Sequence, residues 1–120
     1  MSHDAKSPQF MFLLRHPPGR PGEAQLHEIM AKFAVWMQGL AERGEVAGGN
    51  GLQHTGAILR GAGGVEVTDG PFAEAKEIVG GYIMINAPDL PAAIAIARGC
   101  PGLAYGLAVE VRPIESHASS

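Results

Sequence analysis

Val79-Gly-Gly-Tyr-Ile-Met-Ile-Asn-Ala87 leads directly into Pro88-Asp-Leu-Pro-Ala-Ala-Ile-Ala-Ile-Ala-Arg98 and then Gly99. The first run is apolar at its centre, from Tyr82 to Ile85, and a proline closes it, so it reads as a strand. Asp89 stands where a helix needs an N-cap, and Pro91 falls in the first turn, where a missing N–H costs nothing. The Ala/Ile-rich helix from Leu90 to Arg98 ends at Gly99. Cys100-Pro-Gly-Leu-Ala-Tyr-Gly106 is then a loop, and Leu107 to Ile114 is a last strand. Strand, helix and strand in that order form one half of a split β-α-β plan.

The other half lies upstream. Phe10-Met-Phe-Leu-Leu-Arg15 is a buried strand, stopped by the three prolines and two glycines of His16-Pro-Pro-Gly-Arg-Pro-Gly22. A helix follows, roughly Glu23 to Arg43. Leu26, Ile29, Met30, Phe33, Trp36, Met37 and Leu40 recur at three- and four-residue steps and make one apolar stripe, with Met30, Trp36 and Met37 expected in the core. Gly44 sits just past its end, where a left-handed cap favours glycine. Val46 to Gln53 is a second strand, weakened by Gly48, Gly49 and Gly51. Gly56 to Arg60 and Val65 to Thr68 flank Gly61-Ala-Gly-Gly64 and read as a hairpin. The expected fold is therefore α+β and ferredoxin-like (βαββαβ) with an inserted β-hairpin. Both helices should cover one face of a four-stranded antiparallel sheet. The other face has no helix of its own, which makes it a candidate interface and predicts a homodimer packed sheet to sheet.

The 120 residues suit one domain. Residues 1–8 and 115–120 read as polar, flexible tails and 9–114 as the single folded unit. Nine Lys and Arg against twelve Asp and Glu give a net charge of −3, and the cations are scattered singly. That excludes a nucleic-acid backbone as the natural partner, because phosphates need clustered cations. Cys100 is the lone cysteine, so neither an internal disulfide nor a cysteine-based zinc site is expected. Met1 to Gln9 carries no long apolar run, and no stretch reaches the roughly 20 apolar residues that span a bilayer. A cytoplasmic location without membrane attachment is the expectation.

Val67-Thr-Asp-Gly-Pro-Phe-Ala-Glu-Ala-Lys-Glu77, followed by Gly80-Gly-Tyr82, closely resembles the signature of the DGPF-domain proteins of the YCII-related family. Phe12-Leu-Leu14, Gly49-Asn-Gly-Leu52, Ala97-Arg-Gly-Cys-Pro101 and Val109-Glu-Val-Arg-Pro-Ile114 extend the resemblance in order over nearly all of residues 10 to 114. It implies a dimeric ferredoxin-like fold of the dimeric α/β-barrel type. It also implies a cleft gathering polar residues, suspected of enzymatic activity, and for some members a link to sigma-factor regulation. Ala75 precedes Lys76-Glu77 where the family often has a hydroxyl residue, so no role for that hydroxyl carries over.

Topology converges the candidate residues. A crossover helix makes the first two strands run the same way, so Arg15 and His16 share a rim with Gln53 and His54. The hairpin returns Asp69 to that rim, and the loops 69–77 and 100–105 land there too. Asp69 is a general base or substrate anchor, or else the carboxylate of an Asx turn. His16 and His54 are a base and a second proton carrier if they meet, so the catalytic candidates are Asp69, His54 and His16. Arg15 would hold an anionic group. Phe72, Glu74, Lys76 and Glu77 are the other substrate-binding candidates, against which stand plain packing and a solvated charged turn. Cys100 reads as a small buried hydrophobe. No metal is expected, since no ligand spacing supports one, and no cofactor. Two functions compete: a cofactor-independent acid–base enzyme acting on a small organic molecule in the rim cleft, and a ligand-sensing or protein-interaction module serving transcription, with a regulatory protein as partner.

Overall fold

A computed structural model of the chain describes residues 8–19, 22–70 and 77–115. The elements are β1 (Gln9–His16), α1 (Glu23–Glu42), β2 (Val46–Gly51), β3 (Ala57–Arg60), β4 (Glu66–Asp69), β5 (Ile78–Asn86), α2 (Leu90–Ala97) and β6 (Ala108–Pro113). Short 3₁₀ turns at Ala62–Gly64 and Pro101–Tyr105 complete them. β2, β5, β1 and β6 form one sheet in that order, and every pairing in it is antiparallel. β1 and β2 both oppose β5, so they point the same way and α1 is the crossover between them. This is the α+β, ferredoxin-like arrangement. β3 and β4 pair only with each other, as a separate two-stranded ribbon.

One sheet face is the core. Phe10 and Phe12 of β1 and Ile83 and Ile85 of β5 alternate onto it and are buried. Leu40 of α1 and Ala93 and Ala97 of α2 close over them, with Phe33, Trp36, Met37, Val109 and Val111 packed around. Phe12, Leu40 and Ile85 are fully enclosed. Each such side chain contributes about 1.5–3 kcal/mol relative to exposure. Small alanines let α2 lie close to the strands, and Asp89 caps it, accepting from the Ala92 N–H at 2.9 Å. Gly44 ends α1 at φ +71°.

Two expectations need correction. Met30 is 60% exposed rather than core. At 3.6 residues per turn it falls about 80° around the helix from Leu40, at the margin of the stripe. β2 ends at Gly51 rather than Gln53. The Leu52 N–H still reaches the Gly80 carbonyl at 2.9 Å, and the chain then leaves the ladder.

The second sheet face carries Met11, Leu13 and Arg15 of β1, Tyr82 and Met84 of β5, and Glu110 of β6, none of them fully buried. No described helix covers it. At the rim β5 holds one residue more than β1: Leu14 faces Gly81 and Arg15 faces Val79, so Gly80 is a bulge. Among the described residues, no helix is long and apolar enough to cross a membrane.

Candidate functional site

The site begins where β1 stops. Pro17 and Pro18 offer no N–H to a ladder, so the chain must turn away after His16. His16 keeps the phase of Phe10, Phe12 and Leu14 and therefore lies on the helix side of the sheet. Its Nδ1 donates to the Pro17 carbonyl at 2.8 Å. A carbonyl can only accept, so that bond places the proton on Nδ1 and leaves Nε2 as the atom able to take another.

Two features hold the ring. Gly80, the bulge residue, lies under it: a Cβ there would stand 2.7 Å from His16 Cδ2 and 2.9 Å from Nε2. His54, released from the β2 edge when that strand ends, is the second. The two imidazoles stack with centroids 5.2 Å apart and planes inclined by 28°.

The pair opens onto a cleft of about 670 Å³. One wall is the start of α1, with Leu26 and Ile29 as its apolar part and Glu23 and Gln25 as its polar part. Tyr105, from the 3₁₀ turn that follows α2, and Leu107 just after that turn line the cleft as well. The Tyr105 hydroxyl donates to Glu28 Oε2 at 2.7 Å and accepts from Lys32 Nζ at 2.8 Å, tying that turn to α1. The Tyr105 hydroxyl, and then Lys32, hold the Glu28 carboxyl below its usual range. The same hydroxyl, and then Glu28, push the Lys32 ammonium up. Both charges are thus retained around neutrality and fix the wall. The cleft is mostly apolar with two imidazoles in its lining, which suits a small organic molecule with one ionisable position.

The other candidates lie apart. Arg15 alternates onto the open sheet face, where its Nη2 is 2.6 Å and its Nε 2.7 Å from Glu110 Oε1. Arg112 Nη1 adds a contact to Glu110 Oε2 at 3.3 Å. The hydrogen bond from Arg15, followed by that from Arg112, lowers the Glu110 carboxyl against the opposing effect of partial burial. Asp69 ends β4 opposite Ala57, exposed and outside the residues that line the cleft. Glu77 is exposed immediately before β5. Phe72, Glu74 and Lys76 lie outside the described residues. Cys100 is buried, and burial raises its thiol. Among the described residues no three His, Cys, Asp or Glu side chains converge as metal ligands.

Reading residue types alone missed Glu23, Gln25, Leu26, Ile29 and Leu107 as lining. Their signal was weak: the apolar ones fit the helix stripe or a strand equally well, and the polar ones look like ordinary helix surface. Tyr105 was signalled only through its loop, which topology places on the rim.

No curated protein matches the chain. The family model described as the YCII-related domain matches residues 9–116, which takes in both β-α-β halves and every residue of the cleft. The chain belongs to the YCII-related family.

Proposed function

We propose that the cleft receives a small organic molecule and that the His16–His54 pair moves a proton on it without a cofactor. The observation that carries this reading is the stack itself. Two imidazoles 5.2 Å apart line a mostly apolar cleft, and one is anchored through Nδ1 so that Nε2 can act as the base. Imidazole basicity suits proton transfer near neutral pH. Leu26, Ile29 and Leu107 would hold the apolar body of the substrate, and Tyr105 and Glu23 would orient its polar end. Arg15 is engaged with Glu110 on the far face, so an anion-holding role would require it to leave that pair. Asp69 acts as the base only if the end of β4 comes to the cleft.

The open sheet face supports the second part of the proposal, a homodimer packed through Met11, Leu13, Tyr82 and Met84. A ligand-sensing or interaction module serving transcription draws on the same cleft and face, and catalysis separates the two readings. The test is a thermal-shift screen of a metabolite library, followed by turnover assays on the hits. It uses the wild type, His16→Gln, His54→Gln and Asp69→Asn. A ligand of the folded state raises the melting temperature by mass action. The expected result is a hit, and turnover, lost in both histidine variants and kept in Asp69→Asn. Turnover that survives both histidine changes would end the proton-transfer reading. Tight binding without turnover would favour the sensing module.

A further inference from the structure

The β3–β4 ribbon stands apart from the core. It is hydrogen-bonded to neither edge of the four-stranded sheet, and the Gly70 N–H to Gly56 carbonyl bond at 3.1 Å closes its base. None of the described helices or larger strands packs extensively on it. A lone two-stranded hairpin is marginal in water. Yet one face exposes apolar side chains: Leu59 and Val67 are cross-strand partners, 61% and 64% exposed, and Val65 beside them is 76% exposed, with Asp69 at the base of the same face. Exposed Arg60, Glu66 and Asp69 are the usual surface of so short a ribbon, and the exposed apolar trio beside them is not.

A second uncovered surface lies on the same chain, the open sheet face, where Met11, Leu13, Tyr82 and Met84 stand beside the Arg15–Glu110 pair. Four strands at about 4.8 Å spacing and about six residues at 3.3 Å give it a footprint of roughly 400 Å². A stable interface takes about 800 Å² from each partner. A patch of that footprint falls short of such an accessible area, so a dimer made through it gains from further contact. A two-fold axis repeats every contact, so an arm that reaches across counts twice.

We propose that the β3–β4 ribbon is an arm that clasps a second copy of this chain, seating Leu59, Val65 and Val67 against the partner. The proposal rests on the sheet-face dimer above and adds to it. Each protomer gives an arm and receives one, and the ribbon gains the apolar cover its own protomer does not provide. Because β3 begins three residues after His54 and β4 ends at Asp69, the clasp also fixes the segment that presents His54 to the cleft.

Sedimentation velocity over a concentration series tests it, on the wild type and on Leu59→Thr/Val67→Thr. Threonine keeps the strand preference while removing apolar contact. The expected result is a wild-type dimer, with the variant's dissociation constant raised about tenfold or more and its far-UV circular dichroism unchanged. A variant that dimerises as tightly as the wild type would overturn the arm and leave the sheet-face dimer standing. A wild type that stays monomeric would overturn both. If the variant misfolds, hydrogen exchange on the wild type decides. Ribbon amides should gain protection as concentration rises through the dimer transition, and unchanged ribbon exchange would overturn the proposal.

Discussion

Gly80→Ala is the sharpest probe of the cleft. Gly80 lies outside the left-handed region of φ, so alanine meets no backbone penalty there and only space matters. The added methyl would sit 2.7 Å from Cδ2 of His16 and 2.9 Å from its Nε2. Ordinary carbon contacts are about 3.5–4.0 Å, so the imidazole must retreat by about 1 Å. It is a half-exposed side chain and can move, whereas the strand beneath it is fixed by β1 and β2 on either side. Alanine within a strand also regains about 0.5–1 kcal/mol relative to glycine, which offsets the crowding. The variant should therefore keep its melting temperature nearly unchanged while losing the 5.2 Å stack. Nuclear Overhauser contacts between the His16 and His54 ring protons report that directly. On any substrate found, a 1 Å misplacement predicts a loss in kcat/KM of up to about 100-fold. Wild-type ring contacts in a folded Gly80→Ala protein would show that His16 does not rest on Gly80, and the account of the site would fail.

Three further outcomes follow from the packing and the charges. Phe12→Ala empties a fully enclosed position and should cost about 3–5 kcal/mol by urea unfolding; a loss under about 1 kcal/mol would contradict the core described. Glu110 has its folded-state pKa held below the ordinary 4.5, chiefly by Arg15. Its contribution to stability is present above that ordinary value and is lost as pH falls through the lowered one; Glu110→Gln should flatten this acid limb, and an unchanged limb would refute the assignment. The Cys100 thiol is buried and raised, so Ellman's reagent should react slowly with native protein and quickly after unfolding; prompt reaction in native buffer would show that the end of α2 opens.

Much of the architecture was legible because it is written in local chemistry. Asp89 with Pro91 fixes the start of α2, Gly44 the end of α1, and the prolines after His16 the end of β1. The common direction of the first two strands follows from connectivity, and it puts His16 and His54 on one rim. What the sequence hides is register. Arg15 and Glu110 are 95 residues apart, and only the pairing of β1 with β6 shows that they meet. Met30 was misjudged because a helical stripe has no sharp edge, and its margin is settled by what lies opposite. The cleft wall at Tyr105 was hidden in a different way: the turn is ordinary, and its place depends on a hydroxyl held between Glu28 and Lys32 on another element.

The bulge at Gly80 also acts as a phase-shifter. Side chains along a strand alternate between faces, so an extra residue inverts the parity of everything before it. Because Leu14 already faces Gly81 and Arg15 faces Val79, deleting Gly80 would join those two pairs into a regular ladder and remove the bulge that stands against the His16 ring. The two halves of β5 are thus keyed to different partners, the far half to the core and the near half to the rim. A substitution in one half leaves the other in phase, and loss of Gly80 alone would keep both halves in register while straightening the strand at the rim. The extra residue thus shapes the rim beside His16 and leaves the pairing of the sheet on either side of it as it would otherwise be.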